Sequence, residues 1–307
     1  MEVKNSFSNW PVLNFAEIKD TYETLHQWIQ IVGKIRLKTM PWQNHSWHAA
    51  LYISTHGYST HGIPYQGRLF QLEFDFKQHK LFIEYTDEET LSIDLRPMTV
   101  ADFYSELFEK LLSIGIDVKI HGSPNEMDPA IPFKDNKINK SYDPKVAYDI
   151  WQAMLKANNV FSKFRSDFIG KCSPVHLFWG AFDLAVTRFS GNSAPLHKGG
   201  VPNMPLEVMQ EAYSQEVFSA GFWPGSKDFP PAFYTYIYPA NPYFGEQQVL
   251  PKEAFYSNEM GEFFLMYEDV RKSKDPEGML KAFLQSTYEA AANLSNWNRN
   301  ELEFNYE

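Results

Sequence analysis

The sequence predicts an α+β fold, built on mostly antiparallel sheet with four main helices. Two observations predict it. Short alternating or aromatic-rich runs come in series, and four stretches of helical patterning punctuate them. The chain is also 44% hydrophobic and 16% aromatic, enough to bury a sizeable core.

The first helix is expected over residues 15–38. Phe15, Ile18, Tyr22, Leu25, Ile29 and Val32 recur at spacings of three and four, which makes one apolar stripe. Asn14 can cap it, with Glu17 three residues on. The second, over 100–114, follows Thr99, carries Phe103, Leu107 and Leu111, and stops at Gly115. The third starts at Pro144 after Asp143 and continues to about Phe164. The fourth repeats that start with Asp275 and Pro276, then carries Leu280, Phe283, Leu284 and Tyr288.

Strands are expected over 47–54, 69–76, 81–85, 91–94, 116–120, 175–189, 233–238 and 263–267. The parts repeat in order. A strand with a histidine (His48, then His176) leads to a Gly/Pro turn, further strands and a capped helix. Two tandem β-rich/α pseudo-repeats are therefore expected at 42–121 and 170–297, within one compact domain over 1–307. The segment 190–205, rich in glycine and proline, reads as a surface loop, and 124–142 as a second soft stretch.

Composition excludes several classes. A formal net charge of −10 argues against a nucleic-acid binder. Cys172 stands alone, so neither a disulfide scaffold nor a cysteine-based zinc module is expected. No apolar run reaches the roughly 18 residues of a membrane span. The start, 1–10, is polar with no signal-peptide pattern, so a cytoplasmic setting is expected. Dinucleotide and P-loop glycine motifs, a zinc-protease helix and a nucleophile elbow are all missing.

Four groupings carry candidate chemistry. His45, His48, His56 and His61 fall within 17 positions, with His48 the first choice for acid/base or ligand work. His56 and His61 bracket Gly57-Tyr58-Ser59-Thr60, which reads as a turn. From Lys163 to Lys198, five basic residues face two acidic ones, a local excess suited to a small anion. If 175–189 is one strand, His176 and Arg188 share a face, and Asp183 and Thr187 share the other. A charge such as Asp183 or Arg188 among these apolar residues must be paired, either structurally or by a ligand. Glu216 is the best single carboxylate for acid/base work. Finally, Trp179, Phe222, Trp223 and the alternating Tyr234, Tyr236 and Tyr238 can line an apolar pocket with polar tips. Cys172 reads as an inert thiol.

Several runs carry a resemblance. They are Asn44-His45, Trp47-His48, the segment from Phe164 to Gly191, Glu211-Ala212-Tyr213-Ser214, and Ser219-Ala220-Gly221-Phe222-Trp223-Pro224-Gly225. With these the chain resembles an uncharacterised bacterial family known only as a domain of unknown function. The resemblance implies no activity or cofactor. It implies a histidine where this chain has Gln215, which weakens any metal site relying on that position.

The expected catalytic residues are thus His48, His176 and Glu216. Arg188, Asp183, Trp179, Trp223 and Tyr234 are the expected ligand-binding residues, and the cofactor is unknown. The favoured function is binding or turnover of a small anionic or polar-aromatic molecule between the pseudo-repeats. One alternative is a protein-interaction module using the 190–205 loop and Trp28 of the first helix. Another is a divalent-metal hydrolase drawing on His48, His176, Asp183 and Glu216.

Overall fold

Asn14 caps the first helix, α1 (Phe15–Thr39): its side chain accepts from the Ala16 backbone N–H and donates to Glu17 at 3.0 Å. α1 belongs to a computed structural model that describes residues 10–200 and 203–304. The polar start at 1–9 and two residues of the 190–205 loop therefore lie outside the described residues. The expected stripe on α1 is exceeded, because nearly every residue from Thr24 to Arg36 is buried, polar ones included. The polar side is occupied as well. Gln30 accepts from the Asn125 N–H at 2.8 Å and donates to the Asn125 carbonyl at 3.0 Å.

The first sheet follows, as β1 (Tyr52–Ile53), β2 (Gly57–Ser59), β3 (Ile63–Tyr65), β4 (Arg68–Asp75), β5 (Lys80–Tyr85) and β6 (Leu91–Asp94). It is antiparallel in the order β1-β2-β4-β5-β6, with β3 also paired to β4. Three expectations need correction. The 47–54 strand shrinks to β1, because His45 (φ 56) and Ser46 (φ 57) turn the chain through a short 3-10 segment just before it. The expected turn at 57–60 holds β2. Residues 116–120 join no ladder. Ile116 and Val118 still point into the core, while the Asp117 N–H donates to the Tyr65 hydroxyl at 3.0 Å.

α2 (Val100–Ser113) starts where expected, with Thr99 accepting from the Asp102 N–H. α3 (Pro144–Ser166) has Pro144 in its first turn and Asp143 accepting from Lys145 and Val146. The second sheet comprises β7 (His176–Phe178), β8 (Asp183–Ser193), β9 (Gln215–Trp223), β10 (Ala232–Tyr238), β11 (Phe255–Ser257) and β12 (Glu262–Met266). Its order is β11-β12-β10-β9-β8-β7, antiparallel throughout. The remaining helices are α4 (Leu206–Ala212), α5 (Tyr267–Lys272), α6 (Pro276–Leu294), capped by Asp275, and α7 (Arg299–Leu302).

The 175–189 strand is in fact the β7–β8 hairpin, turned at Phe182 (φ 60). That moves His176 to the other face. His176 pairs with Ala185, so it shares a face with Asp183 and Thr187, and Arg188 lies on the other. The inner face, with Phe218 and Phe233, packs on α3 and α6 through Phe161, Phe164 and Tyr288. The outer face carries Asp183, Thr187, Ser219, Gly221, Tyr234, Tyr236 and Glu262. Leu51 and Leu177 join the two sheets by exchanging backbone hydrogen bonds of 3.0 and 2.8 Å. No helix among the described residues is long and apolar enough to cross a membrane.

Candidate functional site

The outer face of the second sheet gathers chemistry from four places. β8 supplies Asp183, β10 supplies Tyr234 and β12 supplies Glu262, while Glu126 reaches in from the coil after α2. The Tyr234 hydroxyl donates to Asp183 Oδ2. Gly221 on β9 makes room for that ring: a Cβ there would stand 2.2 Å from the Tyr234 hydroxyl oxygen. The polar lining continues with Tyr213 and Tyr236, whose hydroxyls are 3.1 Å apart, and with Thr187 and Ser219 at 2.9 Å. His197 stacks on Tyr213 at 4.5 Å and forms one wall.

α1 closes the opposite side. Its Tyr22 ring packs on Phe182 at 5.2 Å. The His26 Nε2 sits 2.9 Å and 2.8 Å from the Trp179 and Gly180 carbonyls. Carbonyls only accept, so Nε2 carries the proton and donates to both. Burial lowers the His26 pKa to about 4, leaving the ring neutral.

The carboxyls are displaced the other way. Burial pushes Asp183 up to about 6, against the Tyr234 hydrogen bond, which favours the charged form. Burial and then the Asp183 charge raise both Glu126 and Glu262 to about 7. All three are only half-buried. Such groups lose hydration yet keep a path to solvent. Among the described residues none of the three forms an ion pair with Lys, Arg or His. Carboxyls poised between pH 6 and 7 beside a phenol can exchange protons near neutrality.

The structure brings together Asp183, Tyr234 and Trp223, which neighbours Asp183 across the β8–β9 ladder. Trp179 is buried nearby, but its Nε1–H is spent on the Ala49 carbonyl at 2.8 Å and its ring packs over Gly33 of α1. His176 faces the same side of the sheet. Its Nδ1 donates to the Ala185 carbonyl at 3.0 Å, Nε2 has no partner among the described residues, and burial lowers its pKa to about 4.

The other expected residues lie apart. His48 sits in a turn, where its Nδ1 meets the Gln43 backbone at 3.1 and 3.2 Å. Glu216 accepts from Ser190 at 2.8 Å and Asn192 at 3.1 Å. Its neighbour Val217 pairs with Phe189, six residues along β8 from Asp183, which is roughly 20 Å at strand rise. Arg188 faces the helices. Its guanidinium is enclosed by Phe164, Phe168 and Tyr288, and Nη2 donates to the Phe164 carbonyl. Trp28, expected as a surface contact, is fully buried against Phe103 and Tyr142. Among the described residues no group of three or more His, Cys, Asp or Glu is placed to hold a metal ion.

Glu126 and Glu262 went unnoticed in the sequence, and Tyr22 was read only as part of the apolar stripe of α1. Glu262 had a usable signal, because it starts the 263–267 run on the parity that pairs with Tyr234. Glu126 had none, since it lies in coil with a positive φ of 56.

Comparison with known proteins gives one match: the model of a family of unknown function (DUF5996) fits residues 10–304, nearly the whole chain. No curated protein and no solved structure matches it.

Proposed function

The chain belongs to the family of unknown function DUF5996, and from that premise, which supplies no activity, we propose that it binds a small polar molecule in the recess between α1 and the outer face of the second sheet. The observation that carries this is the Asp183–Tyr234 pair, with Glu126 and Glu262 electrostatically coupled to Asp183, all half-buried and none in an ion pair with a basic residue among the described residues. Structural carboxyls inside a fold normally have such a partner. An anionic ligand loses its expected holder, because Arg188 is enclosed on the opposite face. Residues 42–121 and 170–297 each hold an antiparallel sheet of six strands followed by a helix. The pseudo-repeat reading rests on that element count alone, because the strands pair in different orders in the two sheets, and α1 and Glu126 lie outside both segments.

The test is a thermal-shift screen of the full chain against amines, carboxylates, phosphates, sugars and phenols. It runs beside the double variant Asp183→Asn/Tyr234→Phe. A ligand at tens of Kd contributes about 2 kcal/mol, or about 3 °C for a chain this size. A shift in the wild type that is absent from the variant supports the reading. Silence across the screen, or equal shifts in both proteins, defeats it.

A further inference from the structure

We propose that Lys171 is a nucleophilic amine that condenses with a small neutral aldehyde or ketone to form an imine, with His45 as the base that shuttles its proton. The pair is separate from the Asp183 group, and the inference does not depend on the binding role proposed above.

Three segments fix the pair. Lys171 precedes β7, and its carbonyl accepts from the Phe189 N–H of β8 at 3.0 Å. His45 comes from the 3-10 segment 44–46 and Glu211 from α4. Glu211 Oε1 accepts from the His45 backbone N–H at 2.6 Å, and His45 Nδ1 lies 3.3 Å from the Ala212 carbonyl. The buried imidazole also packs on the Phe189 ring at 4.6 Å. His45 and Ser46 both hold a positive φ though neither is glycine. Such backbone persists only where the surroundings impose it, and this arrangement sets the imidazole against Lys171.

The tautomer follows from the partners. A carbonyl only accepts, so Nδ1 carries the proton. An ammonium only donates, and Lys171 Nζ stands 2.5 Å from His45 Nε2. Both partners therefore require one neutral tautomer, with its lone pair aimed at the amine. Among the described residues this is the only hydrogen bond of the Lys171 ammonium, and no carboxylate forms an ion pair with it. An ammonium held by a base has an acceptor in place for the proton it must lose before attack. Burial lowers the pKa of both groups, and the Lys171 charge lowers that of His45 further.

The surroundings select the substrate. Nζ lies 4.9 Å from the centre of the Phe189 ring and 6.0 Å from that of Trp47. Lys171, Trp47 and Glu211 are half-buried, so the pair lies at the margin of the core, within reach of a small solute. The Glu211 carboxylate, fixed against the same segment, opposes an anion. Ring walls beside that charge favour a neutral carbonyl compound.

The condensation needs no oxidant or reductant. The ammonium passes a proton to His45 Nε2, and the freed lone pair attacks the carbonyl carbon. A C–N bond forms as the C=O π bond opens, and an amine proton moves to the oxygen. His45 returns its proton to that hydroxyl, which leaves as water while the nitrogen lone pair closes the C=N bond. Lys171 ends as a protonated imine and His45 as the neutral base it was.

Reductive trapping tests this. The full chain is incubated at pH 7.5 with glycolaldehyde or benzaldehyde and sodium cyanoborohydride, which reduces an imine to a stable secondary amine. Peptide mass spectrometry then reads the rate at each lysine. With at least one probe, Lys171 should be alkylated at least tenfold faster than the median lysine, and that advantage should vanish in urea. His45→Gln should abolish it while the other lysines keep their wild-type rates, because an amide accepts a hydrogen bond from the amine but does not carry its proton. The wild-type rates stand alone if the variant folds poorly. A Lys171 rate at or below the median overturns the proposal. So does an advantage that persists in urea or survives undiminished in His45→Gln.

Discussion

The guanidinium carbon of Arg188 stands 3.5 Å from the centre of the Phe164 ring and 4.2 Å from that of Tyr288. Burial lowers the Arg188 pKa only to about 10, so the group stays charged inside this cage. Its stem and plane fill space between the second sheet and α3, and Nε has no partner among the described residues. Such a group contributes packing more than net electrostatics. Arg188→Ala should therefore cost about 3 kcal/mol or more in urea unfolding, through a cavity and lost ring contacts. Arg188→Met should come within about 1 kcal/mol of wild type. If the methionine variant instead unfolded as readily as the alanine one, a specific role for the charge would have to replace this account.

Gly33 sets two effects of opposite sign against each other. In mid-helix, Gly→Ala gains about 1 kcal/mol from propensity alone. Here, however, an added Cβ would stand 2.1 Å from the buried Trp179 ring, which α1 holds against the second sheet. Expelling that ring costs about 3 kcal/mol or more. Gly33→Ala should thus destabilise by about 2 kcal/mol, with blue-shifted tryptophan emission lost as Trp179 meets water. A stabilised variant would show that the ring can slide aside.

What the sequence disclosed, and what it hid, follows from the range of each interaction. Helix starts were legible because caps are local: Asn14, Thr99, Asp143 and Asp275 each accept from an N–H two or three residues on. Run 233–238 was legible through its alternating tyrosines, which also put Tyr234 and Tyr236 on one strand face. The β7–β8 hairpin was hidden because its turn, Trp179-Gly180-Ala181-Phe182, is as apolar as the strands it joins, and Phe182 takes the left-handed conformation without being glycine. That one misreading put His176 on the face of Arg188 instead of the face of Asp183. Glu126 was hidden for another reason. Only tertiary folding brings it to the turn, where its Oε1 lies 2.0 Å from where a Gly180 Cβ would be.

Cys172 offers a simple check on the second sheet's edge. It lies in an isolated bridge to Arg188, and burial raises its thiol to about 11 despite the nearby Arg188 and Arg165 charges. Thiolate is the reactive form, and it is scarce at pH 8 when the pKa is this high. Alkylation of the folded protein by iodoacetamide at pH 8 should run at least a hundredfold slower than in urea. Comparable rates would mean that the edge opens readily.

The pH dependence of stability carries two opposed contributions in one window. His26 and His176 titrate near 6.5 when unfolded but near 4 when folded. The unfolded chain therefore binds more protons between those values, and stability drains away as pH falls from about 6.5 to 4. Asp183, Glu126 and Glu262 run the other way. Their folded values of about 6 to 7 exceed the unfolded 3.8 and 4.5, so the folded chain binds more protons and stability falls as pH rises from about 4 to 7. The wild type should accordingly show a nearly flat profile from pH 4 to 7, and single variants should tilt it. The Asp183 displacement corresponds to about 3 kcal/mol at most, which solvent access at a half-buried group reduces to about 1–2 kcal/mol. Asp183→Asn keeps an acceptor for Tyr234, so it should match wild type near pH 4 and exceed it by that amount at pH 7. His176→Gln should tilt the profile oppositely, gaining on wild type as pH falls below 6.5. Urea midpoints taken at half-unit steps from pH 4 to 8 read both slopes. An Asp183→Asn difference that stayed constant across the series would show that this carboxyl titrates like a free one, and the recess would lose the electrostatic character argued for it.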